Sequence, residues 1–246
     1  MKQTLTAFVA VIALNTLAPA PVAAGEWGIG LATMAQQPPQ IGADTESLLL
    51  PYFRYQGEHL RLDLATIGYA WQVSDTVEIA VIGEFRFDGY DPADSDALTG
   101  MAKRRPAFDA GISAAHMADW GILRLDALHD ITGTHSGYEF RAAYQYPFQS
   151  GPLLLAPSIG VSLQSRSLTN YYYGVRAGEA SANRPAYATG AATNVFAELA
   201  VSYALGEKFE LLGGASYSRL DRGIRRSPVI EHDERTMAFA AVLFKF

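Results

Sequence analysis

The chain of 246 residues has five histidines and no cysteine, so acid–base or metal chemistry would have to rest on imidazoles and carboxylates. Thiol chemistry and cysteine-type zinc sites are excluded. Three histidine pairings could be reactive: His135 precedes Ser136, His129 precedes Asp130, and His232 lies between Glu231 and Asp233. A base needs its imidazole within hydrogen-bond reach of the nucleophile, yet adjacent residues on an extended strand point to opposite sides. On that reading neither His135-Ser136 nor His129-Asp130 makes a catalytic pair, and His116 and His129 fall on an apolar register near strand ends. Glu231-His232-Asp233 has the right atom types for a metal or a proton relay but no convergent partner in its polar segment. With no phosphate-binding glycine loop and no metal-ligand spacing, the sequence predicts no catalytic, cofactor-binding or metal residue, and no enzyme.

A second set of ionisable residues is more regular. Arg61, Asp63, Glu78, Glu84, Arg86, Arg124, Asp126, Glu139, Arg141, Glu198 and Glu210 each alternate with apolar neighbours. In "DTVEIAVIGEFRFDG", Val77, Ile79, Val81, Phe85 and Phe87 share one face while Glu78, Glu84, Arg86 and Asp88 share the other. A period of two is that of a strand with one apolar and one polar face. The pattern recurs in "HLRLDLA", "ILRLDAL", "YEFRAAYQY", "LLAPSIGVSLQ", "NVFAELAVSYAL" and "FELLGGASYSRL", and helical periodicity is poor in all of them. Many of these segments are about 10 residues or longer, the length needed to cross a bilayer at a tilt.

The connections alternate too. Short links at 73–75, 119–121, 149–152 and 206–208 separate long ones at 89–106, 167–192 and 221–233. Short turns at one end and long loops at the other are the hairpin pattern of an outer-membrane barrel, and a closed barrel is the all-strand structure that satisfies its backbone in lipid. The start of the chain agrees: Lys2, an apolar run from Leu5 to Leu17 and Val22-Ala23-Ala24 read as an export signal cleaved after Ala24, leaving residues 25–246 as the barrel. No later stretch is apolar enough for a transmembrane helix. Net charge of −6 gives no sign of nucleic-acid binding, and a mean hydropathy of +0.05 is what averaged alternating strands produce. The expected fold is therefore all-β, an antiparallel transmembrane barrel of the outer-membrane type with about 12 strands, or 10 as the alternative. Eleven segments are legible, and Pro38, Pro39 and Pro51 make 35–55 the ambiguous region. "AFAAVLFKF" is the closing strand, with Phe246 as the aromatic signal for the barrel-assembly machinery.

Several stretches carry a more specific likeness: "GEWGIGLATMAQQPP" leading to "LLLPYFRY", "DITGTHSGYEFRAAYQYPF", "YYYGVRAGEASANRPAYATGAA", "YALGEKFELLGGASYSRL" and "SPVI". In this order along essentially the whole mature chain, the sequence resembles the MipA/OmpV family of outer-membrane proteins. The resemblance implies a scaffold linking a lytic transglycosylase to a bifunctional murein synthase at the inner face of the outer membrane. Porin-like, adhesive and antigenic roles are also associated with the family, so a small-solute channel is the alternative and a barrel hydrolase a third reading.

Two questions stay open at this level. The lumen charges either pair and close the pore or line a thin aqueous path. In the longest connection, Tyr171, Tyr172, Tyr173, Arg184 and Tyr187 are residue types common at binding hot spots, yet they suit equally a loop packed into the barrel mouth.

Overall fold

A computed structural model describes residues 25–246; the expected signal and its cleavage after Ala24 lie outside the described residues. Alternation drives thirteen strand segments: β1 Glu26–Gln37, β2 Glu46–Gln56, β3 Leu60–Asp63, β4 Thr66–Ser74, β5 Val77–Arg86, β6 Ala107–Ala118, β7 Gly121–Asp130, β8 Tyr138–Gln145, β9 Phe148–Ser150, β10 Leu153–Gln164, β11 Ala192–Leu205, β12 Phe209–Arg219 and β13 Glu234–Lys245. All pairings are antiparallel between neighbours, and β13 returns to β1. β8 and β9 meet β10 in one register and count as a single stave, so the closed barrel has twelve.

The twelfth strand comes from a place other than the expected one. β1 and β2 are regular on either side of the connection at 38–45, and the irregularity lies at 60–66, where a turn at Leu64 and Ala65 divides "HLRLDLATIGYAWQVS" into a four-residue β3 and a nine-residue β4. Because β3 is so short, β2 pairs with it only through Tyr55 and Gln56, and the part of β2 beyond has no ladder partner on that side among the described residues. This explains Pro51. The Gly57 N–H to Leu60 C=O bond sets the parity, so odd residues of β2 aim their main chain at the β3 side, and the missing N–H falls where nothing pairs. Phe87 is a second correction: the strand ends at Arg86, and Phe87, expected on the lipid side, packs with Leu64 against the interior cluster beside this low point of the wall.

Outside, the barrel is apolar: Leu31, Leu49, Val81, Ile112, Leu125 and Ile159 are all at least half exposed, as lipid-facing residues must be. Trp27, Trp71, Trp120, Tyr203 and Phe209 gather near the end with the short turns, in the manner of an interfacial girdle. Two inward glycines allow close main-chain contact: a Cβ on Gly30 would lie 1.8 Å from the Val242 carbonyl oxygen, and one on Gly111 1.8 Å from that of Ala127. Gly111→Ala must therefore separate β6 from β7. We expect a loss of about 3 kcal/mol, at the upper end of overpacking costs, read as a fall in the urea midpoint of the barrel refolded into vesicles.

The loops at the far end are not loose. The connection at 165–191 contains α1, Arg166–Tyr173, although no helix was expected in the mature chain. Ser165 caps it by accepting from the Leu168 N–H, and Leu168, Thr169, Tyr172 and Tyr173 are its buried residues. Eight residues are too few to show helical periodicity clearly against the loop around them. The connection at 220–233 adds the single turn α2, Arg222–Arg225.

Candidate functional site

The inward positions divide the lumen into two unlike halves. Around β13, β1 and β2 it is apolar: Ala32, Met34, Tyr52, Met237, Ala241 and Leu243 form a buried cluster that Ala156, Ala200 and Leu212 extend. A period of two marks the polar faces of the other strands and does not separate this half. From β5 to β8 the wall is charged.

All eleven charged residues of the alternating set occupy lumen-side positions, and most are joined across strands. Arg61 donates to both Glu78 oxygens at 2.8 and 2.6 Å. Arg141 spans from β8 to Glu84 on β5, at 3.0 and 2.5 Å, with Asp126 at 3.4 Å. Arg124 donates to Asp126 at 2.9 Å. Arg86, with its side chain 6% exposed, reaches Asp109 at 2.7 Å, Asp88 at 3.2 Å and Glu139 in a short contact. Glu210 accepts from Arg54 and from Ser202, and Asp63 from the Tyr52 hydroxyl at 2.9 Å. Glu198 forms no ion pair among the described residues, only a 3.4 Å contact from the Ser158 hydroxyl. Sequence patterning did not single out Arg54, Asp109 or Arg235. Arg54 follows the inward Leu48, Leu50 and Tyr52 on β2, and Asp109 stands on a strand whose other inward residues carry no charge. A cavity of about 130 Å³ remains between the charged wall and β10–β12.

His135 and Ser136 are not on a strand, which corrects the extended reading. They sit in the connection between β7 and β8, where Ser136 takes φ +49°. The turn buries His135 with Asp109 and Asp130, ligand atoms within 4.8 Å of one another, a grouping of metal-ligand types. Their lone pairs are already engaged. Asp130 accepts from Thr132 N and Oγ1 at 2.8 and 2.6 Å on one oxygen, and from His135 N and Ser136 N at 2.6 and 2.8 Å on the other. The Gly137 N–H donates to His135 Nδ1 at 3.0 Å, so the proton sits on Nε2 and is donated to Asp109 at 3.2 Å. That is a neutral imidazole bridging a turn to β6, with neither nitrogen left for a nucleophile. His116 and His129 face outward, Glu231 accepts from Gly42 N at 2.8 Å, and Asp233 pairs with Arg225 at 2.8 Å.

Over the mouth, the connections at 38–45, 87–106, 165–191 and 220–233 pack into a cap with its own core. Tyr90, Leu98, Met101, Val175 and Val229 form one cluster, and Leu168, Tyr172, Tyr173, Leu220 and Ile224 another. At its centre Arg104 is fully buried, donating to both Glu179 oxygens at 2.8 Å and to the Ala102 carbonyl at 2.8 Å. Its guanidinium lies 5.7 Å from the Tyr90 ring and 5.8 Å from that of Tyr171. The structure places the aromatic loop residues within this cap. Tyr171 Oη accepts from Arg105 N, Tyr172 and Tyr173 are buried, Arg184 donates to the Ala97 and Thr99 carbonyls at 2.6 and 2.9 Å, and Tyr187 donates to Gly223 O at 2.7 Å. Burial raises the phenols of Tyr172 and Tyr173, and lifts that of Tyr90 to about 12. Burial also pushes Glu179 upward, but hydrogen bonds from Arg104 and from the Arg176 and Ala102 N–H groups outweigh it and hold the carboxyl at about 2. Arg235 on β13 pairs with Asp88, fastening the base of the cap across the lumen. At the opposite end Phe246 is 74% exposed on the lipid side, edge-on to Phe244, its N–H bonded to the Trp27 carbonyl at 3.0 Å.

Residues 29–246 match the family model for MltA-interacting protein MipA. The chain is 29% identical to outer membrane protein Omp26La of Vibrio anguillarum, over 79% of this chain and 76% of that protein. It is 27% identical to putative outer membrane protein YiaT of Escherichia coli K12 over 97% of each chain, and 26% identical to the MltA-interacting protein of the same strain over 91% and 92%. Among solved structures the porin NanC aligns over 91% of this chain and 100% of its own, with 11% identity and a TM-score of 0.42.

Proposed function

Because the chain belongs to the MltA-interacting protein MipA family, we propose that this outer-membrane barrel is a non-enzymatic scaffold, holding a lytic transglycosylase and a bifunctional murein synthase at the inner face of the membrane. The observation that carries this reading is the closed state of the barrel. Cross-strand ion pairs fill one half of the lumen, apolar side chains fill the other, and a folded cap covers the mouth. Such a barrel offers surface more readily than passage, and the name of the relative that is 26% identical supports a murein-enzyme partner. The engaged nitrogens of His135 and the saturated oxygens of Asp130 support the absence of catalysis.

The face for such partners is the end with the short turns, where Glu58, Asp75, Asp119 and Glu207 are exposed on four separate turns beside Lys208. A basic patch on a partner would complement it. Phe246, projecting at the same end, is assigned to recognition by the barrel-assembly machinery. The test is crosslinking in native outer membranes with a tag in the connection at 220–233, followed by pull-down and mass spectrometry. A transglycosylase or murein synthase should be recovered above an unrelated barrel control, and recovery should fall when the four turn acids are changed to serine. Clean absence of both enzymes sinks the scaffold.

A second reading, a small-solute channel, is favoured by one observation: the cavity of about 130 Å³ among the lumen charges. It predicts resolvable conductance in a planar bilayer, larger when residues 87–106 are shortened to a tight turn.

A further inference from the structure

The lumen cavity is not electrically balanced. Its lining sets Arg86, Arg124, Arg141 and Arg235 against Glu84, Asp88, Asp126 and Glu139, four guanidinium groups to four carboxylates, and Glu198 is a fifth carboxylate. Glu198 is the carboxylate of this wall left without an ion pair among the described residues, and it lines the cavity. A carboxyl group held away from bulk water takes either a proton or a counter-ion, and Glu198 is where this wall offers a cation an unshared partner.

Its neighbours define what kind of cation would fit. Ser158 is register partner to Gln145 on one side and Glu198 on the other, and Glu198 is partner to Ser216. These four inward residues therefore form one row across β8, β10, β11 and β12, all lining the same cavity. Gln145 is 7% exposed, and its buried side-chain oxygen has no hydrogen-bond donor. An orphaned buried acceptor in the same row as an unpaired carboxylate, with only Ser158 between them, calls for a donor that is also a cation. Phe196, two residues before Glu198 on the same face, also lines the cavity and adds apolar surface, which suits an organic ammonium ion better than a hydrated metal ion. The volume of about 130 Å³ restricts the occupant to a small organic molecule.

We propose that this lumen pocket binds a small primary ammonium ion, with Glu198 as counter-ion, Gln145, Ser158 and Ser216 as hydrogen-bond acceptors, and Phe196 as the apolar wall. The site depends on neither reading of the overall function. Its failure would leave the scaffold standing, and loss of murein-enzyme capture would leave the site standing.

The test is ligand-observed saturation-transfer NMR on the folded barrel in detergent, with propylammonium as the probe and propionate as its charge-reversed counterpart. Propylammonium should bind saturably in the millimolar range and propionate should not. Glu198→Gln, which keeps shape and removes charge, should weaken binding by roughly tenfold or more, the worth of one hydrogen bond to a charged group. Heat-modifiable electrophoretic mobility reports whether each variant is folded. Should Glu198→Gln fail to fold, Ser158→Leu fills the pocket from the neighbouring strand, and loss of binding there supports the site while unchanged binding refutes it. Absence of saturable binding to the unaltered protein, equal affinity in Glu198→Gln, or propionate binding as well as propylammonium would each overturn the proposal.

Discussion

Arg86→Met is expected to lower the stability of the barrel by about 3–5 kcal/mol, the range found when one partner of a buried ion pair is removed. The guanidinium touches three carboxylates from three parts of the chain: Asp109 on β6, Glu139 on β8 and Asp88 beyond the end of β5. Its removal leaves the three without the cation they share, and Asp109 keeps only His135 as a side-chain donor. Methionine fills much of the volume, so the loss reports charge rather than a void. Unfolding in urea from lipid vesicles, followed by tryptophan fluorescence, should show the shift. Adding Glu139→Gln should recover part of it by removing one stranded charge. A variant within about 1 kcal/mol of the unaltered protein would mean that lumen pairing does not hold β5, β6 and β8 together, since removing one partner of a buried pair costs several times that.

Arg104→Ala should act at the other level, opening the cap without unfolding the barrel. Arg104 supplies both hydrogen bonds that Glu179 receives from a side chain, and its guanidinium also lies near two tyrosine rings. No strand contributes to that contact. Limited proteolysis should then cut within 87–106 and 165–191 while the heat-modifiable band of the intact barrel persists; protection as complete as in the unaltered protein would refute the role. Acid should imitate the variant. The folded pKa of Glu179, about 2, lies below its unfolded value of about 4.3. The unfolded cap thus binds the proton more readily, and the stabilisation is fully present above the unfolded value and is lost as pH falls through about 2. Protease sensitivity of the cap, probed with pepsin, should rise across that window.

Much of the architecture is local, and for that reason the sequence by itself determined it. Side chains alternate across every strand wherever it sits, so Val77, Ile79 and Val81 announce a lipid face and Glu78, Glu84 and Arg86 a lumen face without knowledge of any partner strand. Turn and loop lengths announced which end carries the cap, and the ordered stretches from "GEWGIGLATMA" to "SPVI" pointed to the family whose model residues 29–246 match.

What the tertiary structure alone decided is non-local. Which charges meet across the lumen depends on strand number and stagger, so Arg141 finding Glu84 three staves away, and Glu198 finding no partner, could not be read from spacing. The apolar half of the lumen was hidden because Met34, Leu212, Met237 and Leu243 alternate with Leu31, Leu211, Ala238, Val242 and Phe244 on the lipid side, leaving little contrast for a period of two to reveal. Arg104 and His135 lie in irregular segments with no period at all, and their roles exist only once four connections and three strands close around them. Sidedness follows from the geometry of one strand, whereas pairing follows from closure of the whole barrel.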